Sequence, residues 1–585
     1  MRRFTALFGE LDARSGTTAR VETLAAYFAT ADPADAAWAL HLLLGKQRRR
    51  LITGRRLRQI ALEGSALPEW LFDDCYAHVG DTAETIALLW QQLEPETSHG
   101  TADGDPEESL LDQPLHRWLG ELLPAAAALE GAEQAQAVRR LWQGLEPGAL
   151  LVANKLLTGG FRLGVAQGLV LRALSQVSGL EPALLAHRLM GGLQLGGPQR
   201  DSAQSSAAAW NALLAPAGGV DGPISRPYPF CLASPVEPEP GAPPLPGPAS
   251  DWLVEWKWDG IRGQLIRRGG EGFLWSRGEE LINAAFPELI AAAGALPCGT
   301  VLDGEVLVWP EGAERPAPFA QLQRRLGRRA PGRALLAEAP AVFMAYDLLE
   351  RDGEDWRPRP LSQRRAALDC LLHGAPAAAT APEAGLLRLS PLLSLPAWDS
   401  LESLRQQARA AGAEGLMLKA AASPYRVGRR RGDWWKHKLE PLRLDAVLVY
   451  AQAGSGRRAN LFTDYTFALW SEPPRPGEPA PALVTFAKAY SGLDDGAIAE
   501  LDRWIRSHTI DRFGPVRAVE PLQVFELAFE GLQPSRRHRS GIAVRFPRIA
   551  RWRRDKPAQE ADTLASALAL LQSPEAPEAS GDVAP

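Results

Sequence analysis

Lysine is scarce in this chain of 585 residues. Of its 64 basic side chains only eight are lysines, at 46, 155, 257, 419, 436, 438, 488 and 556, which leaves 56 arginines. An Ala- and Pro-rich composition of this kind marks GC-rich coding, which replaces lysine by arginine wherever chemistry allows. Each surviving lysine is therefore worth inspecting. Cysteine is scarcer still. Cys75, Cys231, Cys298 and Cys370 are too scattered for a disulfide framework or a zinc pattern, which fits a reducing compartment. The nine histidines have no HExxH or CxxC company, so structural zinc is not expected. No apolar run reaches the ~18 residues of a membrane span. The start, Met1-Arg2-Arg3-Phe4-Thr5-Ala6-Leu7-Phe8, lacks the apolar segment and cleavage site of a secretory signal, so a cytoplasmic location is expected.

The length predicts three or four domains. Residues 1–205 read as helical, with apolar residues at three- and four-residue spacing around Leu24-Ala25-Ala26-Tyr27-Phe28, Ala37-Trp38-Ala39-Leu40 and Val138-Arg139-Arg140-Leu141-Trp142. Asp81-Thr82-Ala83-Glu84 has the form of a capping box. Glu94 to Gln113 is acidic, Pro/Gly-rich and free of Lys and Arg, which predicts a mobile loop. Residues 206–250 form a linker, irregular from Pro216 onward. Residues 251–440 mix short strands with helices, as in Leu253-Val254-Glu255-Trp256, Val301 to Val308 and Ala341 to Tyr346. Residues 441–560 are strand-rich, at Asp445 to Tyr450, Tyr465 to Trp470 and Leu522 to Leu527, and suit a small β-barrel. Residues 561–585 are a tail whose end, from about 571, reads as disordered.

The central signal is Glu255-Trp256-Lys257-Trp258-Asp259-Gly260-Ile261-Arg262, a lysine leaving a strand ahead of an Asp-Gly turn. Alone it would read as a surface hairpin. Its company changes that reading. Ser276-Arg277-Gly278, Asp303-Gly304-Glu305, Phe343 with Tyr346-Asp347, Glu414-Gly415-Leu416-Met417-Leu418-Lys419 and Trp434-Trp435-Lys436-His437-Lys438 follow in order, and four of the eight lysines lie in these blocks.

The set resembles the covalent nucleotidyltransferase superfamily, and within it the ATP-dependent DNA ligases of the larger form with an N-terminal helical DNA-binding domain. The resemblance runs from about Arg226 to Lys556, more faintly through the N-terminal part. It implies an all-α DNA-binding domain, an α+β nucleotidyltransferase (ATP-grasp-like ligase) domain and a β-barrel OB-fold domain. It further implies that Lys257 attacks the α-phosphate of ATP. A lysine amine attacks only when deprotonated, and with a reference pKa of ~10.4 it needs cations nearby, for which Lys436, Lys438 and Mg²⁺ are the candidates. Arginine does not deprotonate in proteins and cannot replace it.

By the same resemblance Glu255, Arg262, Arg277, Glu305, Phe343, Arg430, Lys436 and Lys438 line the ATP site. Arg262 and Arg277 would contact ribose and phosphate, Arg277 also gripping the 5′-phosphate of a nick, and Phe343 would stack on adenine. Arg430, in the crowded run Arg429-Arg430-Arg431, is a choice of register. Glu305 and Glu414 would share ribose binding and Mg²⁺ coordination, in a division the sequence leaves open. Arg553-x-Asp555-Lys556 resembles the family's last motif, which orients pyrophosphate. It closes a stretch, Arg536 to Lys556, with nine basic residues and one acid. Lys155 and Arg162, in Lys155-Leu156-Leu157-Thr158-Gly159-Gly160-Phe161-Arg162, resemble the DNA-contacting part of the helical domain.

The implied partner is nicked double-stranded DNA, met by a monomer working at the bacterial nucleoid, with no membrane. The formal charge of −5 does not oppose this, because only an inner surface need be basic. RNA ligases and capping guanylyltransferases share the lysine chemistry but need no helical preamble. The cysteines of an NAD-dependent ligase are missing. A non-catalytic nick-binding scaffold would not need Lys257, Glu305, Glu414, Lys436 and Lys438 together.

Overall fold

The helical N-terminal segment forms as its periodicity predicts, from Arg2–Ala13 through Gln167–Ser178, and Ala203–Leu214 packs back on it through Trp210 against Phe28, 5.3 Å between ring centroids. Asp81 caps the helix Thr82–Leu93, its Oδ1 accepting from the Glu84 N–H at 2.9 Å. The computed structural model describes residues 1–585 apart from 15, 47–49, 64, 66, 80, 94–109, 162, 191–202, 217–223, 238–241, 327, 329, 374–383, 455–460, 476, 514–515 and 573–585. Most of the acidic segment Glu94 to Gln113, and the end of the C-terminal tail, thus lie outside the described residues.

The chain divides into two units. One joins residues 1–185, 192–217 and 441–571; the other holds 186–191, 218–440 and 572–585.

In the second unit the linker is less irregular than its composition predicts. It carries the short strands β1 (Cys231–Leu232) and β2 (Ser234–Pro235), and then come β3 (Trp252–Trp258), β4 (Ile261–Arg268), β5 (Glu271–Ser276), β6 (Thr300–Val308) and β7 (Ala341–Arg351). These are followed by β8 (Glu354–Asp355), β9 (Leu387–Leu389), β10 (Leu392–Leu393), β11 (Ala413–Ala420), β12 (Gly428–Arg429) and β13 (Trp434–Lys438). One sheet runs β5-β4-β6-β7-β8, with β9 beside β7; the other runs β10-β3-β11-β13-β2, and β1 pairs with β12. Proline at an edge strand removes no ladder bond, which lets Pro235 sit in β2.

Each sheet has an apolar outer face. Leu265, Leu302, Val306 and Phe343 bury against Phe286, Leu289 and Leu368, and Trp252, Val254, Leu416, Leu418 and Trp435 form a second core. The inner faces carry the charges. Glu255, Lys257, Met417, Lys419, Trp434, Lys436 and Lys438 fall at alternate positions of β3, β11 and β13, so strand periodicity puts them on one side.

The strand-rich segment builds a seven-stranded sheet from β14 (Leu442–Ala453), β15 (Phe462–Trp470), β16 (Leu483–Ala489), β17 (Thr509–Phe513), β18 (Val516–Val519), β19 (Val524–Phe529) and, after a separate hairpin of β20 (Gly531–Pro534) and β21 (Ile542–Arg545), β22 (Arg548–Trp552). Long β14 pairs with β15 on one edge and with both β18 and β19 on the other. The first part of the 561–585 segment is ordered: Leu564–Gln572 is a helix whose Ala567 is buried in the core with Phe467, Phe525 and Leu527.

Candidate active site

Lys257 sits where the chain crosses from one sheet to the other. It is the penultimate residue of β3, and Asp259-Gly260 then leads directly into β4 of the facing sheet. The turn is therefore not the surface hairpin that the local sequence alone would give. Gly260 is required by crowding, since a Cβ there would lie 2.3 Å from the Val306 carbonyl and 2.7 Å from Glu305 Cγ. The crossing thus brings Lys257 beside β6.

Glu414 meets Lys257 from the adjacent strand. β11 and β3 slip register between Ala413 and Leu416, a bulge opposite Lys257, and Gly415 at φ +143° lies so close to β13 that a Cβ would be 2.2 Å from the His437 carbonyl. Bulges re-aim side chains. Here the carboxylate of Glu414 accepts from Lys257 Nζ at 2.5 Å and lies 3.6 Å from Lys438 Nζ. Burial alone would raise the Glu414 carboxyl, but the charge and hydrogen bond of Lys257 and the charge of Lys438 hold it down at about 2. Lys436 is lowered by burial and by the cations Lys438, Arg429, Lys257 and Arg277. Of the three crowded arginines, all exposed, Arg429, in β12, is among the leading influences on Lys436.

The carboxylate of Glu305, half-buried on β6, forms no hydrogen bond or ion pair with any described residue. Burial raises it from 4.5 to about 8; Lys257 and Arg262 oppose the rise, and Asp303 and Glu414 add to it. A carboxylate sunk beside a second one, without its own cation, fits a divalent ion with oxygen ligands. The native state therefore keeps a proton that the unfolded chain has lost between pH 4.5 and 8. Stability falls with pH across that window. In metal-free buffer, Glu305→Gln is expected to remove this fall, so its melting temperature gains on that of the unchanged protein from about pH 5 to pH 8. Parallel melting curves would refute the burial argument.

Other residues expected in the site are already bound to partners. Arg262, paired across the ladder with Glu305, donates to Asp303 at 2.7 and 3.2 Å and to the Cys231 carbonyl at 2.6 Å, and lies over Phe230, Tyr346 and Trp434. Tyr425 adds a bond to Asp303 at 2.7 Å. Glu255, 1% exposed, accepts from Lys419 and from Arg365 of the helix Leu361–His373, each at 2.9 Å. Lys419 Nζ also rests 4.1 Å from the Tyr346 ring centroid and 4.4 Å from that of Trp434. Arg277 is exposed, and its N–H donates to the Arg262 carbonyl at 2.8 Å.

Phe343 is not brought to this cluster. It pairs with Val306, so its ring points to the outer face, away from Glu305, where a Cβ on Gly304 would lie 2.6 Å from it. It is fully buried in the core there, and an adenine ring could stack on it only by displacing Leu302 and Val306. The expectation of adenine stacking fails because the strand's period of two aims the side chain the wrong way. The sequence reading gives no role to Asp303, Tyr425 or Arg365. Asp303 shares an inward-facing alternation with Glu305, a signal that was readable; Arg365 lies on a helix far along the chain and had none.

Arg553, Asp555, Lys556 and Lys155 belong to the other unit. Lys155 is 17% exposed and donates to the capping carboxylate of Asp81 at 3.0 Å, which commits it to an internal pair. Arg162 lies outside the described residues. No helix among the described residues is long and apolar enough to cross a membrane.

Comparison with known proteins agrees with this organisation. Residues 247–438 match the family described as ATP dependent DNA ligase domain, and residues 1–175 match DNA ligase N terminus. A probable DNA ligase of Koribacter versatilis is 33% identical over 96% of this chain and 95% of its own length. One from Opitutus terrae is 33% identical over 97% of this chain, which spans 62% of that relative's length. A solved structure described as Pmar-Lig_PreS3 shares the fold with a TM-score of 0.56, at 14% identity, over 94% of this chain and 99% of its own. With inward-facing charges between two sheets, a lysine at their crossing and a relative 33% identical over 95% of its length, the chain belongs to the ATP-dependent DNA ligase family.

Proposed function

We propose that the protein seals nicks in duplex DNA bearing a 5′-phosphate and a 3′-hydroxyl, through a lysyl-AMP and then a DNA-adenylate. The observation that carries this is the pairing of Lys257 with Glu414 at 2.5 Å, with the cations of Lys436 and Lys438 on the same sheet face. Lys257 Nζ gives up a proton to solvent and attacks the α-phosphate of ATP; the N–P bond forms as the bond to pyrophosphate breaks, and pyrophosphate leaves. The adenylyl group then passes to the 5′-phosphate, and the 3′-hydroxyl displaces AMP. Lys436, Lys438 and the exposed guanidiniums of Arg277 and Arg430 bind phosphate oxygens, and Arg262 holds the ribose end. Glu305 and Glu414 would hold Mg²⁺, which supplies neutralisation of phosphate charge. Adenine recognition falls to other residues than Phe343.

The assignment extends to the domains: 1–205 contacts DNA, 251–440 carries the adenylation chemistry, and 441–560 is an OB-fold whose Arg553, Asp555 and Lys556 orient pyrophosphate. Lys155 then acts indirectly, through the cap it supports, and Arg162 touches the DNA backbone. The protein works in the cytoplasm as a monomer.

One assay tests the reading. Incubation with labelled ATP and Mg²⁺ is expected to give a covalent protein label that nicked DNA removes. Label from GTP or NAD instead, or a label that only nicked RNA removes, would replace it with a capping, NAD-dependent or RNA-ligase activity.

A further inference from the structure

The last motif, Arg553-x-Asp555-Lys556, contains its own acid, yet that acid is not where its two cations meet. Asp555 is half-exposed and, among the described residues, takes only Arg553, at 2.8 Å from Nη2. Arg553 Nη1 and Lys556 Nζ instead converge on a single oxygen, Oδ2 of Asp445, at 2.9 and 2.7 Å. Asp445 lies 108 and 111 residues earlier, on β14, and is 7% exposed. Its backbone is held from both sides: its N–H donates to Asp562 at 2.8 Å and its carbonyl accepts from the Asp562 N–H at 2.9 Å. Its other oxygen, Oδ1, is buried without a hydrogen-bond partner. The strand therefore presents a fixed carboxylate. The two cations that grip it remain about one-fifth exposed, at 23% for Arg553 and 19% for Lys556.

Two cations on one oxygen is the arrangement by which an anionic phosphate oxygen is held. Lysine, on a flexible four-carbon stem, does not keep such a geometry unaided. Arg553 would still be tied to Asp555 without Asp445; Lys556 has no other ion pair among the described residues. We propose that Asp445 is a positioning residue for the lysine-adenylylation step: it pre-sets Arg553 and Lys556 as a pair for the pyrophosphate of ATP. This rests on the reading of those two cations as the pyrophosphate contacts.

The full chain tests it through two reactions that differ in their need for pyrophosphate. Asp445→Asn, which keeps the side-chain volume, is expected to slow single-turnover labelling of Lys257 from ATP by ~10-fold or more. Sealing of a nick already carrying 5′-adenylate, which involves no pyrophosphate, is expected to stay within about 2-fold. Asp445→Glu, which restores the charge, should recover part of the labelling. Labelling at the unchanged rate overturns the proposal. Equal loss of both reactions also overturns it, assigning Asp445 to the stability of the sheet. If Arg553→Ala and Lys556→Ala both label normally, the underlying reading of the motif fails instead.

Discussion

Replacing Lys257 by alanine is expected to abolish covalent labelling by ATP and nick sealing together, by at least ~1,000-fold. Lys257 is the amine at the crossing of the two sheets, whereas Lys436 and Lys438 stand on β13, so they are not expected to take its role. Lys257→Arg should be equally dead, because a guanidinium keeps the charge next to Glu414 but does not deprotonate. That pair of variants separates chemistry from electrostatics. The fold should survive both. The side chain is 22% exposed with one ion pair, and Glu414 retains Lys438 at 3.6 Å, so the alanine variant loses no more than about 2 kcal/mol. A variant that still labels would move the nucleophile elsewhere; circular dichroism and melting would show whether a dead variant is merely unfolded.

The second large effect is on stability, at Glu255. Among the described residues its carboxylate is the one anion shared by Lys419 and Arg365, and all three side chains are 7% exposed or less. Glu255→Gln leaves two buried cations without a counter-charge. Breaking a buried pair in this way costs about 3–5 kcal/mol, which lowers the melting temperature by roughly 10 °C for a unit of this size. Replacing Glu255, Lys419 and Arg365 together by methionine should recover much of that, since well-packed apolar residues often match a buried ionic triad. Thermal melting of the two variants decides the point. If Glu255→Gln melts with the unchanged protein, the triad does not hold β3 in place. Lys419 also explains one of the surviving lysines: its ammonium is bounded by a carboxylate and two aromatic rings, a space suited to a compact point charge rather than to a planar fork.

Much of the organisation was legible without coordinates. Helical periodicity, the Asp81 cap and the main strands are set by interactions over a few residues, which leave their mark on adjacent positions. The helix Leu564–Gln572 escaped because its neighbours are polar, and the short strands at Cys231–Leu232 and Ser234–Pro235 because pairing with a distant strand, not propensity, makes them strands. Lys257, Glu305, Glu414, Lys436 and Lys438 were found as blocks in order. Which blocks touch was not legible.

By itself the sequence determined the nucleophile candidate and its company, because chemistry that only an amine can do preserves lysine where coding bias favours arginine. Tertiary structure alone decided how the rest is used. It turned Phe343 into the core, committed Arg262 to Asp303 and Lys155 to Asp81, buried Glu255 between two cations, and placed Asp445 under Arg553 and Lys556. Those outcomes depend on which face of a strand a side chain takes and on pairings across 41 to 164 residues, and neither is encoded in local spacing.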